Sequence, residues 1–175
     1  MHVADEQHVR TPTGSVGCAL EQKGLDVRVD AFLADSAEVI NNKVYALGAG
    51  WNTIYVRSFP AMHRRLAVAA VVHVSFTETN VPHRLELRLE TEDGKPYPVG
   101  IRVSEDGKPE PIQALGGEFT LGRPPSLVDG DEQIACFSFA IDGMRFREAT
   151  KFSWVILVDG EEATRLPMRV QIAQQ

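Results

Sequence analysis

The sequence predicts an all-β fold, an antiparallel two-sheet β-sandwich of immunoglobulin-like or jelly-roll-like type. Three observations carry this: short segments alternate apolar and polar residues with a period of two, turn residues separate them, and no stretch shows the period of a standard-length helix. The segment up to about Gly24 is polar and without period, and reads as a flexible N-terminal arm. The expected organisation is an arm over residues 1–24 and one sandwich domain over residues 25–175.

Taken in order, LDVRVDAFLADSAEV, KVYALGAG and WNTIYVRSF read as strand-like segments, with Asn41-Asn42 as a turn between the first two. ADSAEVI could also be read as one helical turn. From Leu66 to Thr77 both faces are apolar for most of the length, which is the pattern of a buried strand. In RLELRLETEDG, Leu85, Leu87 and Leu89 alternate with charged residues, the pattern of a strand with one wet face, and Glu92-Asp93-Gly94 supplies the turn. Six prolines between Lys95 and Val128 mark a loop-rich interval with edge strands around YPVGIRV and GEFTLG. ACFSFAIDG, FSWVILVDGEE and RLPMRVQI complete the set, and Asp159-Gly160 is the strongest hairpin signal in the chain.

The glycines of GAGWNT invite comparison with a phosphate-binding loop. Such a loop needs a third glycine and a helix to follow; here Thr53 takes that position and the β-branched and aromatic residues after it continue as strand. Gly48 and Gly50 are expected to turn the chain, and no cofactor is implied.

Charge and hydropathy exclude several classes. The net charge of −6 comes from 24 acidic and 18 basic side chains that are interspersed, with no basic stripe for nucleic acid. The densest basic spot, His63-Arg64-Arg65, reads as an exposed loop. The longest apolar run, Leu66 to Val74, is too short for a membrane helix. The N-terminus lacks the basic start and apolar core of a secretory signal, so Cys18 and Cys136 are expected as reduced thiols and the protein as cytoplasmic.

The succession DAFLADSAEV, NKVYALGAGWNTIYVRSFP, LAVAAVVHVSFTETNVPHRLELRLETEDG, GEFTLGRPP and FSWVILVDGEEATRLPMRV resembles an uncharacterised family of bacterial, mainly actinobacterial, β-sandwich proteins. The resemblance spans roughly Leu25 to Ile172. It implies a fold and no activity.

Candidate sites are sparse. His63, His73 and His83 stand ten apart with Glu78 between the last two, and imidazoles with a carboxylate on neighbouring strands are the donor set of an open zinc or iron site. That reading requires the FTETNVPH segment to be a hairpin connection. Cys136 reads as a small filler rather than a nucleophile. Trp154 reads as core; Trp51, beside the glycine turn, either lids the end of the sandwich or faces a partner. Arg123, Pro124 and Pro125 could form a rigid recognition loop. The favoured expectation is a non-catalytic intracellular module that works by self-association or by binding a partner protein, because open sandwiches leave strand edges that are guarded or used. The alternative is a metal- or small-ligand-binding sandwich, conceivably an enzyme, built on His63, His73, His83 and Glu78.

Overall fold

The computed structural model describes residues 27–174; the expected arm, residues 1–24, lies outside them. Thirteen strands follow one another: β1 Val27–Ala34, β2 Ser36–Ile40, β3 Lys43–Leu47, β4 Thr53–Val56, β5 Ala61–Ser75, β6 Pro82–Thr91, β7 Pro96–Tyr97, β8 Gly100–Val103, β9 Pro109–Ile112, β10 Ala114–Thr120, β11 Glu132–Phe146, β12 Thr150–Val158 and β13 Glu161–Ile172. One sheet has the order β1-β5-β11, the other β10-β6-β12-β13-β4 with β7 beside β6. Two further hairpins, β2–β3 and β8–β9, stand outside these sheets. The fold is all-β and broadly a sandwich.

The core lies where the inward faces of the two sheets meet. Leu66, Val68, Ala70, Val72 and Val74 of β5 face Leu85, Leu87 and Leu89 of β6 and Trp154, Ile156 and Val158 of β12, all essentially without solvent contact. β5 is apolar on its other face because the β2–β3 hairpin folds over it. Ala37 packs there on Ala67 and Ala69, with Phe32, Val44 and Ala46 around them.

Local chemistry accounts for the turns. Asn41 and Asn42 both hold positive φ, 50° and 57°, as do Asp159 and Gly160, 52° and 87°, which is what a two-residue hairpin turn with the right twist requires. Gly48 and Gly50 adopt φ of 64° and 92° and lead into β4, not into a helix. ADSAEVI contributes β2, with no helical turn.

Two features depart from the sequence reading. β4 joins β13 in parallel, so the sandwich is not wholly antiparallel. Sequence-distant strands can pair in either sense, and Arg169 N–H to Asn52 O (2.8 Å) and Ala173 N–H to Val56 O (2.9 Å) bracket this one. The segment after β5 is not a hairpin connection either. A 3₁₀ turn at Phe76–Glu78 carries the chain from the first sheet to the second.

Candidate functional site

That crossing decides the fate of the histidines. His63 and His73 share β5, where ten residues of extended chain span roughly 33 Å. His83 opens β6 in the other sheet. The three do not converge, and among the described residues no cluster of His, Cys, Asp and Glu is arranged to hold a metal ion. Each has its own surroundings. His73 lies between the carboxylates of Asp30 (3.0 Å) and Glu132 (3.1 Å), tying β1, β5 and β11 together on the outer face of their sheet. His63 sits edge-on to Trp51, ring centres 6.1 Å apart, and burial pulls its pKa below the ordinary histidine value. Trp51 Nε1 and His63 Nε2 are buried without a hydrogen-bond partner among the described residues.

His83 is the buried one, with its Nδ1 2.8 Å from Asp159 Oδ2 and its Nε2 3.1 Å from the Glu78 carbonyl. A carbonyl only accepts, and so does an ionised carboxylate, so this geometry favours the imidazolium, which donates from both ring nitrogens. Burial alone would favour the neutral ring, yet Asp159 and the Glu78 carbonyl outweigh it and hold the pKa above the ordinary value. With both nitrogens engaged, His83 is a structural clamp. Glu78 enters it through its backbone.

The expected recognition loop is tied back to the chain at Arg123, which stays exposed. Arg123 donates from Nε to Thr79 Oγ1 (2.7 Å) and from Nη2 to Phe76 O (2.7 Å), and its guanidinium lies 4.0 Å from the centre of the Phe76 ring. Its backbone N–H reaches Asn80 Oδ1 at 3.1 Å. Arg123 thus ties the 121–125 loop to the crossing between sheets. Pro124 and Pro125 remain exposed.

The strand edges are more informative. Asp159 N–H donates to Arg84 O (2.9 Å), so the even residues of β6 face β12 and the odd ones, among them Leu85 and Leu87, face β10. In β10, Leu115 and Gly117 therefore bond inward to β6, and the backbone N–H and C=O of Gly116 and Glu118 point out from the sheet. They meet no partner among the described residues.

Several other edges carry a block. Ser104 N–H to Lys108 O (2.8 Å) fixes the even pairs of the β8–β9 hairpin as hydrogen-bonded, so Pro109 and Pro111 stand where an outward N–H would be. Pro96 does the same on β7, opposite Glu90. Pro167 sits on β13 just before the point where β4 begins to pair, at Arg169. On β11, the Asn42 side chain imitates a strand residue: its Nδ2 donates to Ile134 O (2.6 Å) and its Oδ1 accepts from Cys136 N–H (2.8 Å). Ser138 Oγ then bonds Ala37 O at 2.7 Å, leaving between β2 and β11 a shallow groove of about 500 Å³. β10 has no such device.

The outer surfaces divide by polarity. The large sheet presents ion pairs to solvent, Arg165 with Glu90 (3.0 Å) and Glu162 (2.7 Å), Arg88 with Glu86, and Lys151 with Glu92, a face suited to water. The hairpins instead expose Ile40, Tyr45 and Leu47 on one, and Ile101 and Val103 on the other. Sequence reading takes the six prolines to mark a loop-rich interval with edge strands around YPVGIRV and GEFTLG, without saying which outward N–H each replaces. Asn42 was out of its reach, because the backbone it caps lies more than ninety residues away.

Fold and edges together define an all-β sandwich protein in which the outward backbone groups of Gly116 and Glu118 on the β10 edge meet no partner among the described residues. The chain belongs to the family of unknown function DUF6941, whose match covers residues 29–171. Among curated proteins none matches. Among solved structures, the alkylpurine DNA glycosylase AlkC of Pseudomonas fluorescens, bound to DNA containing an abasic site analog, aligns with a TM-score of 0.40 and 10% identity over 84% of this chain. The chain spans 31% of that glycosylase. Among the described residues no helix is long and apolar enough to cross a membrane.

Proposed function

We propose that the protein acts by self-association, adding the β10 edge of one copy to the β10 edge of a second to continue the large sheet. The observation that carries this is a contrast between edges: proline blocks outward groups of β7, β9 and part of β13, and Asn42 caps Ile134 and Cys136 of β11, whereas Gly116 and Glu118 of β10 offer theirs. An edge of alternating donors and acceptors is complementary to itself about a two-fold axis, which makes a second copy its natural partner. The role is a binding one, with no catalytic step.

Glu118→Pro tests it. The substitution removes the outward N–H of residue 118 and leaves the Leu115 and Gly117 bonds to β6 in place. Light scattering across a concentration series should find a dimer for the native chain and a monomer for Glu118→Pro, with both folded by circular dichroism. A native chain that stays monomeric, or a Glu118→Pro variant that stays dimeric, overturns the reading.

A further inference from the structure

The β8–β9 hairpin has its polarity reversed. In its register Ile101 lies opposite Pro111 and Val103 opposite Pro109, so these four share one face; Arg102 and Glu110, ion-paired at 3.1 Å, lie on the other with Ile112. Ile112 is the residue through which the hairpin leans on the core. The charged pair is therefore on the core-leaning face, and the wholly apolar face looks out to solvent. Ile101 and Val103 are each 73% exposed, more than any other large apolar residue among the described ones except Leu47. A surface hairpin ordinarily shows the opposite arrangement, and a two-stranded hairpin with an uncovered apolar face is marginal in water.

We infer that the Ile101, Val103, Pro109 and Pro111 face is the second half of the β10 interface, covered by the same second copy; this rests on the self-association reading. Two observations select that occupant. Only Gln113 separates β9 from β10, so a chain docked at the β10 edge arrives beside the hairpin. A few backbone bonds along β10 also fall well short of the roughly 800 Å² per partner that a stable specific interface buries, and the apolar face supplies the area that is lacking. Pro109 and Pro111 set the manner of contact. Without outward N–H groups at 109 and 111, no strand can add to β9, the hairpin strand that runs into β10, so a partner arriving along β10 packs against the hairpin's face. The hairpin sets Arg102 and Lys108 against Glu105, Asp106 and Glu110, so it offers no basic cluster for an anionic lipid surface.

The double variant Ile101→Ser, Val103→Ser separates this inference from the one beneath it. Both side chains are exposed in the isolated chain, so the monomer loses little burial and its thermal midpoint should hold. The dimer dissociation constant, from sedimentation or light scattering over a concentration series, should rise at least tenfold. If Glu118→Pro abolishes the dimer and the serine variant leaves its dissociation constant unchanged, the hairpin inference falls and the edge reading stands. If the serine variant weakens the dimer and Glu118→Pro does not, the edge reading falls. A native chain that is monomeric at all concentrations overturns both.

Discussion

His83 Nδ1 and Asp159 Oδ2 stand 2.8 Å apart, joining the start of β6 to the β12–β13 turn across 76 residues of sequence. The same carboxylate accepts from Arg84 N–H at 2.7 Å through its other oxygen, and Asp159 N–H returns a bond to Arg84 O at 2.9 Å. One aspartate thus fixes the turn, the neighbouring strand and the protonation state of the buried imidazole.

A pH dependence follows from that clamp. The folded-state pKa of His83 is raised above the ordinary value, so the stabilisation is fully present below pH ~6.5 and fades as pH rises through the folded-state pKa. Native chain and His83→Gln should differ by about 1–3 kcal/mol in denaturant unfolding at pH 6, the scale of a charge-assisted hydrogen bond. The difference should narrow on going to pH 9. A gap that is constant or widens with pH would refute the imidazolium.

The cap on β11 makes a sharper contrast. Asn41 and Asn42 hold similar positive φ, but only Asn42 bonds the β11 edge. Glycine suits both conformations. Asn42→Gly should cost about 1–3 kcal/mol by leaving Ile134 O and Cys136 N–H without their partner, whereas Asn41→Gly should stay within about 0.5 kcal/mol of native. Paired urea unfolding curves decide it.

Glycine 48 differs from its neighbour in the turn for a steric reason. A Cβ built there would lie 2.2 Å from Asp35 Oδ2, while one on Gly50 meets nothing within 4 Å. Both have positive φ, so Gly50→Ala should cost about 1–2 kcal/mol from conformation alone. Gly48→Ala should cost more, and Asp35→Ala placed with it should recover the excess. The four thermal midpoints form the test.

What the sequence disclosed was the short-range part. Turn pairs such as Asn41-Asn42 and Asp159-Gly160, the strand alternation of Leu85, Leu87 and Leu89, and the buried Trp154 depend on neighbours in the chain, and they appear as read. The parallel pairing of β4 with β13, the division of His73 and His83 between sheets, and the Asn42 cap depend on contacts across tens of residues. Periodicity fixes which side of a strand is apolar; it does not fix which strand lies beside it. The prolines marked edge strands from the sequence alone, but only the register shows that Pro96, Pro109 and Pro111 replace outward N–H groups.

Arg123 offers the last test, because its two possible roles predict different losses. As a recognition residue it would be dispensable for folding. In the structure its fork bonds Thr79 Oγ1 and Phe76 O while stacking on the Phe76 ring, a geometry that a lysine ammonium cannot reproduce. Arg123→Ala should therefore lower stability by about 1–2 kcal/mol and Arg123→Lys should restore little of it. Pro124→Ala, at the exposed next residue, should change stability by less than about 0.5 kcal/mol. Equal, negligible effects at 123 and 124 in denaturant unfolding would remove the tethering role and leave exposed Arg123 to a partner.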